Sequence, residues 1–279
     1  MAKNIEISGS KIILGSIFDY DQVRKDVSKF YDRILPKYDL IFPRHRVEQR
    51  ELANFLHTHF FKVNNVKKIL DIACGNGALL NEFSQLGEYD LYGMDASPRG
   101  IDYAKSICRN GATLKRGDWL SFKGPRRAFD AVLCTGNSIA HLPPQYLLRV
   151  MKKFSALLRP GGLLIVDVYS NAEWNLSERQ KIVPRSCIRQ ADSVLVVAFT
   201  DQLRKQQNIK FTMKSVNIMR FGLDGLPINY EIESFETVQF VVKYFDLFQA
   251  IKKTGMFKKI KRLAVFDEGR FTYLVATKK

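Results

Sequence analysis

The chain reads as an α/β protein built on a doubly wound, mostly parallel sheet, and three observations carry that reading. Between residues 67 and 168, short apolar runs alternate with helix-patterned stretches, an order that predicts a parallel sheet with helices on both faces. One of these runs, Lys68-Ile69-Leu70-Asp71-Ile72, ends in a glycine-containing turn that opens a helix. After Asn175 the pattern becomes long strand-like segments without intervening helices, which predicts an antiparallel insertion.

Residues 20–62 read as helical. In 47–61, Leu52, Phe55, Leu56 and Phe60 recur at helical spacing, so one face is expected to be buried. Pro36 and Pro43 interrupt the preceding stretch, which predicts short helices and a turn over 30–42. Strands are expected at 68–72, 90–94, 113–115, 131–134 and 163–168, with helices at 78–86, 98–110 and 145–158. The second of these helices opens with Ser97 as N-cap and Pro98 at its first position. The third stops at Pro160-Gly161-Gly162. The insertion is expected to hold strands at 193–199, 208–220 and 228–239, with a turn at Gly222-Leu223-Asp224-Gly225. A helix over 240–254 ending at Gly255, then strands at 257–266 and 271–277 joined by Asp267-Glu268-Gly269, close the chain. The division that follows is an N-terminal helical lid (1–62), a core (63–175 plus 240–279) and an antiparallel cap (176–239).

The composition excludes intrinsic disorder, with 46% hydrophobic and 12% aromatic residues among 279. Lys plus Arg number 44 against 28 Asp plus Glu, a net charge of +16 that leaves a polyanionic partner open. No apolar run reaches the roughly 18 residues of a membrane span, and Met1–Glu6 lacks the features of a signal peptide. A soluble cytoplasmic protein is expected. Cys74, Cys108, Cys134 and Cys187 stand far apart, and His57 and His59 fall on different faces of a helix. Reduced thiols and no metal site are therefore expected.

Chemistry concentrates at two strand ends. Gly75 and Gly77 let the backbone turn tightly and approach a ligand without an intervening Cβ. Asp71 stands near the tip of the same strand, and Asp95 ends the next strand, 20 residues after Gly75. A carboxylate at that offset can accept hydrogen bonds from both hydroxyls of a ribose. Position 80, where a dinucleotide fold usually has a third glycine, is Leu, and the loop lacks the Lys and Ser/Thr of a P-loop. A nucleoside without a diphosphate fits better.

The residues Leu70-Asp71-Ile72-Ala73-Cys74-Gly75-Asn76-Gly77, Asp95, Gly117-Asp118-Trp119, Phe129-Asp130-Ala131-Val132 and Arg159-Pro160-Gly161-Gly162 resemble the class I S-adenosylmethionine-dependent methyltransferases. The resemblance implies a seven-stranded Rossmann-like methyltransferase sheet whose last strand is antiparallel. It implies a cofactor shell of Tyr31, Arg46, Asp71, Ala73, Gly75, Gly77, Asp95, Ala96, Asp118, Trp119 and Thr135 around S-adenosyl-L-methionine. In that shell the glycine turn holds the methionine part, Asp95 the ribose, Asp118 the adenine amino group, and Trp119 packs on the ring. Cys134-Thr135-Gly136-Asn137-Ser138-Ile139-Ala140-His141-Leu142-Pro143 is similar to the segment after the fourth strand of glycine/sarcosine N-methyltransferases. The insertion after the fifth strand is similar to that group and to sugar-amine N,N-dimethyltransferases. Arg46 best matches the arginine that holds the cofactor carboxylate, and Tyr31 and Tyr38 match the aromatic lid.

The resemblance further implies methyl transfer to a small molecule, an amine nitrogen ahead of oxygen. His141 and Tyr169 are its candidate catalytic residues and Asn137 a candidate substrate contact. Glycine methyltransferases carry an arginine after the fifth strand that pairs with the substrate carboxylate. Here Asp167-Val168-Tyr169-Ser170-Asn171 holds none, which argues against free glycine. The alternative is an RNA or protein methyltransferase, for which the +16 charge is the argument; Thr135-Gly136-Asn137-Ser138 stands where a base-amine methyltransferase would carry an Asn-Pro-Pro-Tyr-type motif. Oligomeric state is left open.

Overall fold

Alternation along the central strands sorts their side chains into two layers. Leu70 and Ile72 of β1 (Lys68–Ile72), Val132 and Cys134 of β4 (Phe129–Cys134), and Leu164, Val166 and Val168 of β5 (Leu158–Tyr169) bury into one core. Ile69, Ala131, Leu133, Leu163 and Ile165 bury into a second core on the opposite face. Helices α6 (Leu147–Leu157) and α7 (Tyr244–Lys253) cover the first face. Helices α3 (His45–Leu56), α4 (Ala78–Leu86) and α5 (Pro98–Ile107) cover the second. Each fully buried Leu or Ile contributes about 1.5–3 kcal/mol, which makes these layers the main source of stability. This computed structural model describes residues 19–108, 111–170, 181–206, 208–224, 233–263 and 271–279.

The main sheet has the order β10-β11-β5-β4-β1-β2-β3, with β2 (Asp90–Asp95), β3 (Thr113–Arg116), β10 (Phe257–Leu263) and β11 (Phe271–Lys278) completing it. Strands β1 to β5 pair in parallel, and β11 runs antiparallel to both β5 and β10. This is the seven-stranded arrangement expected, with its last strand reversed. The strand order switches direction at β1 and β4, so the C-terminal ends of β1, β2 and β4 open a crevice.

A second, antiparallel sheet has the order β6-β7-β8-β9, formed by Lys181–Arg189, Ser193–Gln206, Ile209–Gly222 and Glu233–Phe240. Strands β7 and β8 stay in register from Ser193↔Gly222 to Gln206↔Ile209. Its inner face packs Val197, Phe199, Val216, Ile218 and Phe235 against Phe30 and Ile34 of α1 (Tyr20–Ile34) and Ile41 of α2 (Tyr38–Ile41). The N-terminal helices and the insertion therefore share one core above the crevice.

Several boundaries differ from the sequence expectation. Helix α1 runs unbroken to Ile34, because Pro36 falls early in the following 3₁₀ turn Leu35–Lys37, where its missing N–H is tolerated. The helix expected over 47–61 starts at His45 and ends in a π turn, His57–Phe61. Pro160-Gly161-Gly162 does not precede β5 but lies inside it: Phe129 pairs with Leu158 and Ala131 with Leu163, so the strand bulges opposite Asp130. Arg159 ion-pairs with Asp130 at that bulge. Strand β6, whose register shifts between Pro184 and Ser186, was not anticipated. The opening six residues, 109–110, Asn171, Gly225, 228–232, 264–266 and Asp267-Glu268-Gly269 lie outside the described residues. Among the described residues no helix is long and apolar enough to cross a membrane.

Candidate active site

Where β1 ends, Ala73, Gly75 and Gly77 adopt positive φ of 63°, 54° and 76° within five residues. Successive left-handed residues curl the backbone into a concavity suited to polar ligand groups. The two glycines serve different purposes. A Cβ on Gly75 would meet only Leu35 Cδ2 at 3.8 Å, leaving the crevice side open. A Cβ on Gly77 would strike Ala104 Cβ and Cys108 Sγ, both at 2.9 Å, so Gly77 allows α4 and α5 to pack and does not line the cavity.

Asp95 binds the turn to the neighbouring strand. Its Oδ2 accepts from Gly75 N at 2.9 Å and its Oδ1 from Ser97 N at 2.8 Å. Both oxygens keep further acceptor capacity toward the cavity they line. Asp71 is buried and its Oδ1 lacks a hydrogen-bond partner, as do Asn76 Nδ2 and His45 Nε2, whose side chains adjoin each other, and all three residues line the same cavity. Burial pushes the Asp71 carboxyl up to about 8, with Asp95 and Asp167 adding repulsion. Burial also lowers His45 to about 4, so it is neutral near pH 7. Buried polar atoms without partners are rare in folded proteins. Three of them around one turn mark where a ligand's polar groups belong.

Helix α1 forms the opposite wall. Its Tyr20, Arg24, Val27, Ser28 and Tyr31, with Leu35 of the 3₁₀ turn that follows, recur at helical spacing and face the cavity as one stripe. The helix is fastened by Tyr20 Oη donating to Asp118 Oδ1 at 2.7 Å, Ser28 Oγ to the Ala96 carbonyl at 3.1 Å, and Ser97 Oγ to Asp32 Oδ1 at 2.5 Å. Asp118 also accepts from the backbone N–H groups of Leu120 and Ser121, each at 3.0 Å, so its Oδ1 is heavily used by the protein. Trp119, half-buried, and Gly117 line the cavity beside it.

After β4, Gly136 and Asn137 take positive φ, and their N–H groups donate to Asp167 at 2.9 and 2.7 Å. This turn places Thr135 and His141 at the cavity. The His141 Nδ1 lies 3.0 Å from the Val238 carbonyl, which can only accept, so Nδ1 carries the proton. The Nε2 lone pair then accepts from Tyr31 Oη at 3.0 Å. Burial lowers His141 to about 4 and raises Tyr31 well above an ordinary phenol, so both are neutral near pH 7. The cavity, about 1040 Å³ out to its mouth, thus joins the glycine turn, Asp95 and the Tyr31–His141 pair.

Of the residues singled out from sequence, the structure gathers Tyr31, Asp71, Ala73, Gly75, Asp95, Ala96, Asp118, Trp119, Thr135 and His141 around this cavity. Arg46, Gly77, Asn137 and Tyr169 are not among its lining residues. The Arg46 guanidinium is bidentate to Asp39, at 3.0–3.1 Å. Asn137 is buried, its Oδ1 accepting from Tyr169 N at 3.3 Å. The Tyr169 ring stacks on Phe271, centroids 4.9 Å apart. Sequence reasoning missed His45, Asn76 and, apart from Tyr31, the cavity-facing stripe; the three-to-four spacing from Tyr20 to Leu35 is the available signal for the stripe.

Residues 69–162 match the family model described as methyltransferase domain. The glycine N-methyltransferase of Rattus norvegicus is 32% identical over 127 residues, 39% of this chain and 42% of that protein. The chain thus spans less than half the length of this curated relative. Streptomyces venezuelae DesVI superposes with a TM-score of 0.65 at 21% identity, over 87% of this chain and 97% of that one. CalS10, an amino pentose methyltransferase from Micromonospora echinaspora solved with S-adenosylmethionine bound, superposes with a TM-score of 0.61 at 20% identity, over 84% and 91%. At such identities the structural likeness is one of fold. Residues 69–162 thus carry a methyltransferase domain, and the fold around them is the Rossmann-like methyltransferase fold.

Proposed function

We propose that this protein methylates a small-molecule amine, with S-adenosylmethionine as methyl donor. The observation that carries the reading is the grouping of unpartnered Asp71 Oδ1, Asn76 Nδ2 and His45 Nε2 beside Asp95. These residues fit the donor's polar ends. Asp95 would take the ribose hydroxyls and Asp71 the amino group. Asn76 and His45 would take the carboxylate, in place of the arginine that Arg46 matched by sequence. Met94, Gly117, Asp118 and Trp119 would enclose the base.

S-adenosylmethionine supplies a methyl group already activated by its sulfonium charge. The protein's share is alignment, which can lower a barrier by about 7–11 kcal/mol. Tyr31 Oη donates its hydrogen bond to His141, so its oxygen presents lone pairs to the cavity. There it accepts an N–H from a neutral amine and turns the nitrogen lone pair toward the methyl. With His141 at about 4, the pair is too weak a base to strip an ordinary ammonium, so the acceptor must enter already deprotonated. The likeness to the glycine N-methyltransferase of Rattus norvegicus supports a nitrogen acceptor. The division into helical lid, core and antiparallel cap belongs to the same proposal, supported by the core that α1, α2 and the second sheet share.

The test is transfer of labelled methyl from S-adenosylmethionine to a panel of small amines and matched alcohols. Labelled amine with unlabelled alcohol is expected. Label in alcohols alone overturns the nitrogen assignment, and label in none while RNA or protein is labelled overturns the small-molecule reading.

A further inference from the structure

Behind His141, and outside the residues that line the cavity, a polar cluster continues onto the second sheet. Strand alternation places Asp201 of β7, Lys214 of β8, and Thr237 and Gln239 of β9 on the same face as Phe199, Val216 and Phe235. That face packs on the N-terminal helices through its apolar end. Its other end is polar. Lys214 pairs across the strands with both Asp201 and Thr237. Gln239 Nε2 reaches His141 Nε2 at 3.4 Å, which ties the cluster to the Tyr31–His141 pair.

Two atoms in this cluster lack hydrogen-bond partners: Asp201 Oδ1, which is ion-paired with Lys214, and Thr237 Oγ1, on a residue only 2% exposed. The Lys214 Nζ lies 3.9 Å from Asp201, beyond hydrogen-bond reach, and stands 6.0 Å from the Tyr169 ring centroid and 5.6 Å from that of Phe199. Its charge adds to the lowering of His141, which places it electrostatically near the reacting pair. The Lys214 and Asp201 side chains keep 14% and 17% exposure, so the cluster is not sealed. A largely buried ammonium whose ion pair with Asp201 is long, at 3.9 Å, beside a buried hydroxyl with no hydrogen-bond partner, is incompletely satisfied.

We propose that Lys214 and Thr237 bind an anionic group on the methyl acceptor, with Asp201 accepting a hydrogen bond from a neighbouring donor on the same molecule. The acceptor is then a small amine that also carries a carboxylate or a phosphate ester. The cation that sequence reasoning sought after the fifth strand is supplied from β8 instead, so the lack of an arginine at 167–171 does not exclude acidic acceptors. This inference rests on the methyltransferase reading and specifies its substrate class.

The test uses matched probes: β-alanine against ethylamine, and O-phosphoethanolamine against ethanolamine. Each is titrated into the S-adenosylhomocysteine-loaded protein, then assayed for methyl transfer. The wild type is expected to favour at least one anionic member over its neutral counterpart by tenfold or more in binding and in KM. Which pair shows the preference tells a carboxylate from a phosphate. Lys214→Met should abolish the preference, Lys214→Arg should restore most of it, and Thr237→Val should reduce it several-fold. No preference in either pair, or a preference that survives Lys214→Met, overturns the assignment. Failure of the wild type to bind S-adenosylhomocysteine would instead overturn the methyltransferase reading beneath it.

Discussion

The proposed donor end, at the glycine turn, and the proposed acceptor end, on the second sheet, are assembled in different ways. At the donor end, Asp71, Ala73, Gly75 and Asn76 come from one short stretch, and Asp95 joins them from the adjacent parallel strand. At the acceptor end, Asp201, Lys214, Thr237 and Gln239 come from three strands of a separate sheet, while His141 and Tyr31 reach it from a turn and a helix. The donor end is rigid by local geometry, through positive-φ residues and carboxylate-to-amide bonds. The acceptor end depends on how two sheets and a helix pack. On the proposed reading, a donor platform fixed by local geometry under a separately built cap would allow the acceptor to change while the donor site stays the same.

The strongest way to break this contrast is at Asp95. Asp95→Ala removes two backbone anchors and the ribose acceptor; at about 1.5–3 kcal/mol for each hydrogen bond to a charged group, affinity for S-adenosylhomocysteine should fall by roughly a hundredfold or more. Calorimetry measures it. Tyr31→Phe and His141→Asn should act at the other end, lowering kcat by roughly 10²-fold with donor affinity changed far less. Equal losses in both quantities would show that the two ends are one unit.

The glycines sharpen the comparison within the donor end. Gly77→Ala should lower stability by about 1–3 kcal/mol, because it overpacks the α4–α5 contact at positive φ. Gly75→Ala should lose less stability but more donor affinity, since its Cβ would point into the cavity side. Thermal unfolding with and without S-adenosylhomocysteine separates the two.

The smallest effects are pH-dependent, and their signs differ. Asp71, held at about 8, must lose a proton to meet a ligand ammonium, so donor affinity should rise with pH and flatten near 8. Asp71→Asn should remove that slope. Because a raised carboxyl loses stability as pH climbs through its folded value, the same variant should unfold at a higher temperature than wild type at pH 8. His45 and His141 are depressed to about 4, so the folded state binds fewer protons than the unfolded one between 6.5 and 4. Their contribution to stability should be lost as pH falls through that window.

Legibility from sequence follows the same divide. The strand–turn–helix at 68–86 and the acid at 95 were readable because local backbone chemistry builds them, and the reversed last strand followed from the resemblance. Arg46 and His45 differ by one position, yet a helix rotates about 100° per residue, and only His45 lines the cavity. Asn137 and Tyr169 stood in the expected segments, but one side chain receives Tyr169 N and the other stacks on Phe271. The face shared by Asp201, Lys214 and Thr237 depends on strand register, which alternation within a single strand does not reveal.

The most direct test of the central claim is calorimetric titration of S-adenosylhomocysteine into the wild type and Asp95→Ala proteins. Saturable one-to-one binding by the wild type, lost or weakened by roughly a hundredfold in the variant, is the predicted result. No binding by the folded wild type, or equal binding by both proteins, would contradict the account.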